Sequence, residues 1–365
     1  MFLSRFKNDL SNKPVPQTEA ILWLAEQHSY RSGIEKEKLV KMIERFGCGP
    51  SKIKQRRTWI PEFLAEPSEI LFTKPSVKNE QPSMEDRMQV YQKQLRLAVK
   101  NLYKDNEATH PSHLLHVSCT GYASPSLAQE LVIQKSWSTV VQHIYHMGCY
   151  AAIPAIRTAQ GILKTEDPSQ VEILHTEFCS LHLNLLSTTP EQLVVQSLFA
   201  DACIAYQATA QEPKDLVSLR VLATHEMILP DSQQDMTWGL ANFGLSMTLS
   251  REVPQKIAAY LPAFLKILFH KANLDISEMN QITAAIHPGG PKIIESVQDL
   301  LSLKDSQVAV SRKILFENGN MSSATMPFMW KEILENNQNQ QSPYVLSLAF
   351  GPGLTIAGSL LCLQN

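Results

Sequence analysis

The segment YHMGCYAAIPAIR, residues 145–157, joins two contrasting patterns. Before it, apolar and β-branched residues between positions 139 and 145 predict a strand. Within and beyond it, small and apolar residues recur at helical spacing between positions 151 and 162 and predict a helix. Because Pro154 has no N–H to donate, that helix must begin near Tyr150 or Ala151. The sequence therefore places Cys149 where a strand turns into a helix.

This segment alone leaves two interpretations of Cys149 open. The free amides and positive dipole end of a helix stabilise a thiolate, as a nucleophilic cysteine requires. The alternative is a buried structural cysteine, because free cysteine is among the most buried residue types. The choice between them depends on the rest of the chain.

The composition indicates an ordinary globular protein. The chain has 365 residues, 44% of them hydrophobic and 19% charged, and its formal net charge of −2 offers no basic field for nucleic acid or an anionic membrane. Its six scattered cysteines include no CxxC pair, which favours a reduced set over a disulfide framework or a metal site. We see no signal peptide and no apolar run of the ~20 residues that a membrane helix needs. We expect a cytoplasmic protein that binds no metal.

Strand and helix patterns alternate along the chain, which favours an α/β layered fold. Both halves repeat the order strand, short glycine-containing turn, helix, so we predict two related halves, 1–213 and 214–365. The strand candidates are residues 114–118, 139–145, 171–176, 217–223, 282–286, 345–350 and 354–363, and the later helix candidates include 191–202 and a stretch opened by Pro254.

Three polar residues stand beside glycines in predicted turns. Cys149 follows Gly148, His287 precedes Pro288-Gly289-Gly290, and Asn320 follows Gly319. Together, a Cys, a His and an Asn could supply a nucleophile, a base and an oxyanion donor. Each of the last two has a simpler interpretation. His287 could be a strand-end histidine bonded to backbone, and Asn320 a turn residue with positive φ.

Seven segments, in order, resemble motifs of the type III polyketide synthases of the chalcone synthase superfamily, which have a thiolase-like fold. Each is weak alone, but the ordered set is specific. Two stretches, CSLH at 179–182 and MTW at 236–238, look more like the bacterial branches, including alkylpyrone and alkylresorcinol synthases. The seven segments are VSCTGY (117–122), MGC (147–149), EFCSLH (177–182), QSLFAD (196–201), HPGGP (287–291), GNMSSA (319–324) and FGPGLT (350–355).

The resemblance implies a fold and a mechanism. The fold would be a layered α-β-α-β-α arrangement of two thiolase-like halves, the first carrying Cys149 and the second His287 and Asn320. Cys149 would carry the acyl starter, with its thiolate paired to His287. His287 and Asn320 would hold the thioester oxygen of malonyl-CoA as it loses CO2. The resulting carbanion would extend the starter by two carbons, and the product would cyclise without any cofactor.

The resemblance also implies the walls of a substrate cavity. Phe199 would be an aromatic gate, with an ordinary core phenylalanine as the alternative. Met247, at the second gate position, is an adaptable side chain that would admit an aliphatic or larger starter, whereas Trp238 could instead fill part of the cavity. A cis bond is expected at Ser124-Pro125. The remaining cavity positions are Cys119, Cys179, His182, Ser322, Gly351, Pro352 and Gly353.

Partner binding is where the sequence departs from the family. The family's basic contacts to CoA phosphates fall on Ile43, Phe46 and Pro50. Lys52, Lys54, Arg56 and Lys292 could substitute, although a solvated charged face is the alternative for the first three. The loss leaves a carrier-protein-bound acyl group open beside acyl-CoA.

The resemblance further implies a homodimer. Two rival functions remain. One is a β-ketoacyl carrier-protein synthase that performs a single condensation, and the other is a non-catalytic dimeric homologue.

Overall fold

The computed structural model describes residues 1–9, 14–63, 71–72, 80–104, 110–166, 170–336 and 342–364. The helices are α1 (Gln17–Ser32), α2 (Lys36–Phe46), α3 (Met84–Leu102), α4 (Leu127–Lys135), α5 (Ala152–Thr165), α6 (Pro190–Leu198), α7 (Val253–Ala272), α8 (Pro291–Leu301), α9 (Ala309–Asn318) and α10 (Thr325–Glu335). The strands are β1 (Phe2–Asn8), β2 (Val15–Pro16), β3 (Gln55–Arg56), β4 (His113–Ser118), β5 (Val140–Tyr145), β6 (Val171–Phe178), β7 (Asp201–Thr209), β8 (Ser218–Ile228), β9 (Met236–Ala241), β10 (Gly244–Leu249), β11 (Thr283–Ile286), β12 (Tyr344–Gly351) and β13 (Thr355–Gln364).

Nine of these strands form one mixed sheet in the order β11-β12-β13-β8-β1-β7-β6-β4-β5. The outer pairs β4·β5 and β11·β12 are parallel. In the middle, β1 pairs antiparallel with both β7 and β8. The boundary expected at 213/214 lies between β7 and β8, which come from the two proposed halves. The strand β1 lies between β7 and β8 and pairs with both. The division of the chain into two halves stays a prediction.

Three hydrophobic cores separate the layers. One packs α1, α2 and α3 on a face of β4, β6 and β7 that includes Leu114 and Leu174. The opposite faces of the same strands, with Leu115 and Ile173, enclose α5 and α10 against the other half of the sheet. The third core packs α7 and α8 on the outer face of β11, β12 and β13. Because neighbouring strand residues point to opposite faces, each strand serves two cores, and the layered α-β-α-β-α prediction is confirmed.

The prediction of a helix over 191–202 was wrong at its C-terminal end. The helix α6 ends at Leu198, and Phe199 adopts extended angles of φ −76° and ψ 148°. The strand β7 follows at Asp201, with all but its last residue buried. A strand buried on both faces shows no alternation of apolar and polar residues, so its periodicity does not distinguish it from a buried helix. The strand β1 and the hairpin β9–β10 were also missed.

Two other local predictions, the cis bond at Ser124-Pro125 and the helix opened by Pro254, are confirmed. The peptide bond Ser124-Pro125 is cis, as is Gly353-Leu354. Pro254 lies at the start of α7, which continues through Pro262. Among the described residues, no helix has the length and apolar character to cross a membrane. In the same ranges, no group of three or more His, Cys, Asp or Glu side chains has the arrangement of a metal site.

Candidate active site

Cys149 lies in a 3-10 turn, Gly148–Tyr150, directly before α5. Pro154 is the third residue of α5, where its missing N–H is one that the first turn leaves unbonded in any case. Gly148 has φ +76°, and a Cβ there would lie 2.7 Å from the Cδ of Pro352. The predicted position of Cys149 at a helix start is therefore confirmed, and the close approach of Pro352 explains why glycine precedes it.

A narrow cavity of about 30 Å³ opens beside Cys149. Since one water molecule needs roughly 10–15 Å³ of such space, the cavity holds only about two or three waters. It brings together most of the residues expected to bind substrate, and it adds four that the sequence analysis did not assign. The expected residues are Cys119, Cys179, Phe199, Trp238, Met247, Ser322 and Pro352, and the additional ones are Thr120, Gly148, Met236 and Thr237.

Backbone bonds fix Asn320 beside the Phe199 segment. Its N–H donates to the carbonyl of Leu198 (3.0 Å), and its carbonyl accepts the N–H of Ala200 (2.8 Å). Its side-chain Oδ1 accepts the N–H of Ser322 at 2.9 Å. The amide orientation is thereby set, and Nδ2 is left buried without a hydrogen-bond partner among the described residues. Asn320 is thus more than a turn residue, because it presents a free donor.

His287 follows the end of β11 and is 1% exposed. Its backbone N–H donates to the carbonyl of Leu348 at 2.7 Å. Neither ring nitrogen has a hydrogen-bond partner in the described parts of the chain. Burial lowers the pKa of His287 to about 3, so the ring is neutral near pH 7. A strand-end histidine bonded to backbone through its ring is therefore not what the structure shows.

The residue Cys149 is partly exposed, and its thiol points toward Ser322, with 3.9 Å between Sγ and Oγ. Desolvation raises the pKa of Cys149 to about 12. The side chain of Ser322 opposes this rise, the negative charge of Glu177 adds to it, and the side chain of Asn320 opposes it. Nδ2 of Asn320 is thus near enough to stabilise a thiolate without meeting hydrogen-bond geometry. These pKa shifts favour a neutral thiol and a neutral imidazole at rest, and the thiolate–imidazolium pair stays a prediction.

The buried carboxylate of Glu177 holds residues of this site in place through hydrogen bonds. It was not among the site residues predicted from the sequence. It accepts hydrogen bonds from the N–H of Cys119 (3.1 Å) and the hydroxyl of Thr120 (2.9 Å). The hydroxyl of Ser323 also donates to it. Cys119 in turn contacts the hydroxyl of Ser322 at 3.1 Å. Desolvation raises the pKa of Glu177, while these donors lower it. The one signal in the sequence for such a role was an acidic residue within the fully buried strand β6.

The hairpin β9–β10 closes the cavity on one side and is tied down by two residues. Nδ1 of His182 accepts the N–H of Leu245 (3.1 Å), so its Nε2 carries the proton and donates to the carbonyl of Thr120 (2.6 Å). Nε1 of Trp238 donates to the carbonyl of Cys119 at 2.6 Å. Met247 faces Trp238 across the hairpin. His182 therefore supports the wall, and Trp238 forms part of it.

The segment Gly351-Pro352-Gly353 ends β12 and reaches the nucleophile. A Cβ on Gly351 would lie 2.4 Å from the ring of Tyr150, and Gly353 has φ +138°. Only Pro352 of the three lines the cavity. The two glycines therefore allow the close approach that brings Pro352 to Cys149.

Of the expected phosphate contacts, Lys52, Lys54 and Lys292 are exposed. Arg56 is not, because it is 8% exposed and donates to Gln17, Gln196 and Phe199. Its assignment as a CoA contact is therefore withdrawn.

The chain is similar in sequence to chalcone and stilbene synthases and to plant polyketide synthases. Residues 220–363 match the C-terminal domain of chalcone and stilbene synthases. Type III polyketide synthase C of Arabidopsis thaliana is 31% identical over 258 residues, which cover 68% of this chain and 67% of that protein. Type III polyketide synthase A of the same plant is 29% identical over 261 residues, covering 68% and 65%.

Solved structures show the same fold. PKS-I from the brown alga Ectocarpus siliculosus superposes with a TM-score of 0.85 at 24% identity, covering 100% of this chain and 99% of that one. The 1,3,6,8-tetrahydroxynaphthalene synthase of Streptomyces coelicolor A3(2) gives 0.83 at 23% identity, with full coverage of both chains. The class is thus that of chalcone-synthase-like acyltransferases with a thiolase-type fold. The chain belongs to the type III polyketide synthase family. Its place among the bacterial branches stays a prediction.

Proposed function

We propose that this enzyme loads an acyl starter on Cys149, extends it with malonyl-CoA by decarboxylative Claisen condensation, and releases a pyrone or aromatic ring. One observation carries the proposal. The side chain of Asn320 lies near enough to act on the thiol of Cys149, and its buried Nδ2 has no partner among the described residues. Both ring nitrogens of the buried His287 also lack a partner in the same ranges. Because buried polar groups normally have partners, these atoms are the ones expected to bond to a substrate.

The chemistry follows from these groups. The sulfur of Cys149 attacks the starter thioester, His287 accepts the thiol proton, and the CoA thiolate leaves with that proton. Malonyl-CoA then loses CO2, and the electron pair of the broken C–C bond forms an enolate. The enolate oxygen accepts hydrogen bonds from Nδ2 of Asn320 and from His287. The enolate carbon attacks the acyl-Cys149 thioester, and the sulfur of Cys149 leaves.

The narrow cavity supports a small product. The indole of Trp238 occupies space beside Cys149, and the space left is about 30 Å³. We therefore propose a short starter and few extensions. The same narrowness favours the rival of a single condensation, as in a β-ketoacyl carrier-protein synthase. Trp238→Ala should shift products toward additional malonyl units, read by mass spectrometry. An unchanged product would remove Trp238 as the limit.

Partners are proposed from the surface. The strand β5 is one edge of the sheet. Its residue Val140 is 54% exposed, and Ile133 in α4, the helix before it, is 73% exposed. An unpaired edge with apolar neighbours supports a homodimer. A monomer by light scattering at micromolar concentration would contradict this. The exposed Lys52, Lys54 and Lys292 could contact CoA phosphates or an acidic carrier protein.

The deciding experiment incubates the purified protein with malonyl-CoA and a panel of acyl-CoA and acyl-carrier starters. We expect CO2 release, an acyl adduct on the Cys149 peptide, and a cyclised product by mass spectrometry. Cys149→Ala should lose the adduct. Cys203→Ala, which changes a buried cysteine of β7, is the matched control and should keep it. If the wild-type protein neither decarboxylates malonyl-CoA nor becomes acylated, it is the non-catalytic homologue instead.

A further inference from the structure

Arg56 forms a hydrogen-bonded crossing point between distant parts of the chain. Its Nε donates to Oε1 of Gln17 at 2.8 Å. One terminal nitrogen, Nη1, donates to two carbonyls of the same segment, that of Gln196 at 3.0 Å and that of Phe199 at 2.5 Å. All three acceptors are more than thirty residues away in sequence. A fixed, planar guanidinium suits this task, because it holds several acceptors in one geometry.

The aliphatic part of Arg56 touches the second catalytic segment. A Cβ built on Gly319, which has φ +74°, would lie 2.9 Å from the Cγ of Arg56. The next residue, Asn320, forms a parallel bridge with Phe199. The strand around Arg56 is itself held on both sides, since Lys54 donates to the carbonyl of Phe316 and Asp201 to that of Arg57. Arg56 therefore contacts both the backbone of Phe199 and the residue that precedes Asn320.

Burying this cation is energetically unfavourable, and the structure compensates only in part. Burial lowers the pKa of Arg56 to about 10, while the charges of Cys48 and Asp201 raise it. At neutral pH the group stays charged. A buried charge bonded mainly to neutral carbonyls contributes little net stability, so a geometric role accounts for it better than a stabilising one.

We propose that Arg56 is a positioning residue that fixes Phe199 and Asn320 relative to each other, and so places the donor of Asn320 for decarboxylation. The inference rests on the proposed function for its catalytic consequence. Its structural part stands independently, because it concerns the order of two backbone segments.

The test compares Arg56→Met with Leu131→Ala. The methionine keeps much of the arginine stem and removes its donors. Leu131 is 3% exposed in α4, outside the cavity lining, so its truncation should destabilise the fold without touching this segment. Two partial reactions are measured on folded protein: acylation of Cys149 by a starter thioester, and decarboxylation of malonyl-CoA. Since misplacing a catalytic group by about 1 Å can lower a rate about 100-fold, we expect Arg56→Met to lose about 10- to 100-fold in decarboxylation and less than about 3-fold in acylation.

Arg56→Lys, which retains the charge but not the fork, should recover part of that loss. Leu131→Ala should leave the ratio of the two rates as in the wild type. If Arg56→Met lowers both reactions equally, the positioning role is overturned and Arg56 is only structural.

Amide hydrogen exchange separates this outcome from a failure of the proposed function. Arg56→Met should accelerate exchange in peptides covering 194–201 and 317–324 beyond any global change, and Leu131→Ala should not. This measurement needs no turnover, so it decides the structural part even if the wild-type protein proves inactive. Equal exchange of these peptides in both variants would overturn the inference.

Discussion

The surroundings of Glu177 and those of Asn320 and His287 differ in how their polar atoms are used. Oε2 of Glu177 accepts from Cys119 and Thr120, and Oε1 accepts from Ser323. By contrast, Nδ2 of Asn320 and both ring nitrogens of His287 have no partner within the described chain. All three residues are at most 1% exposed. Similar burial therefore accompanies opposite degrees of hydrogen bonding.

This difference indicates that Glu177 belongs to the supporting structure, whereas Asn320 and His287 belong to the proposed site. A satisfied buried network rigidifies the wall, whereas an unsatisfied buried donor beside a nucleophile is available to bind a substrate. Changes on the Glu177 side should therefore reduce stability more than chemistry. Changes on the Asn320 and His287 side should do the reverse.

Asn320→Ala should produce the largest effect on the reaction. Removing one oxyanion donor typically lowers a rate about 10²- to 10³-fold, and we expect malonyl-CoA decarboxylation to fall by that factor. Unfolding free energy should change by about 1 kcal/mol, from the lost bond to the Ser322 amide. Asn184→Ala is the control, because Oδ1 of Asn184 also accepts a backbone N–H, that of Leu186 at 3.2 Å. A small kinetic effect of Asn320→Ala would break the comparison.

Glu177→Ala should produce the largest effect on stability. The substitution leaves buried donors of Cys119, Thr120 and Ser323 without their acceptor, and each such loss is worth about 1–3 kcal/mol. We expect a decrease of about 3 kcal/mol in the free energy of unfolding by urea. Glu226→Ala, which removes the partner of Arg157 in a more exposed ion pair, should cost less than about 1 kcal/mol. Equal effects of the two variants would contradict a scaffolding role for Glu177.

The pH dependence of Cys149 alkylation tests the neutral resting state. With its pKa raised to about 12, the thiolate fraction should grow about tenfold per pH unit between about pH 6 and pH 9. Labelling by iodoacetamide, followed on the Cys149 peptide, should rise with the same slope, and His287→Ala should preserve that slope. A rate that is flat from about pH 6 upward in the wild type, and sloped in the variant, would restore the thiolate–imidazolium pair.

Trp238→Phe should produce the smallest change. It keeps an aromatic ring in the cavity wall and removes the hydrogen bond to the carbonyl of Cys119, at a cost of about 1 kcal/mol. Trp330→Phe is the matched control, since its indole donates to the hydroxyl of Ser347 (2.9 Å) in the central core. We expect similar losses of stability, with an altered product distribution only for Trp238→Phe. Identical product profiles would place Trp238 with the scaffold.

The sequence predicted what local patterns and ordered motifs encode. The strand-to-helix turn at Cys149 was predictable because hydrophobic periodicity changes there and Pro154 limits the helix start. Most of the residues that line the cavity followed from the resemblance, whereas Thr120, Gly148, Met236 and Thr237 did not. Local patterns could not reveal the strand β7, whose buried face on both sides removes alternation. They also could not reveal that Arg56 is buried, because a cation in a basic stretch ordinarily faces solvent. Both depend on contacts between distant segments.

The first strand has a consequence for the order in which the chain can fold. β1 pairs with residues 204–209 of β7 and 219–220 of β8. During synthesis, residues 2–8 therefore wait for about two hundred more residues before they find either neighbour. Once β7 and β8 are made, the sheet becomes continuous only when β1 pairs between them. Contacts of such long sequence separation slow folding, so closure of the sheet by its earliest strand is expected to be a late event.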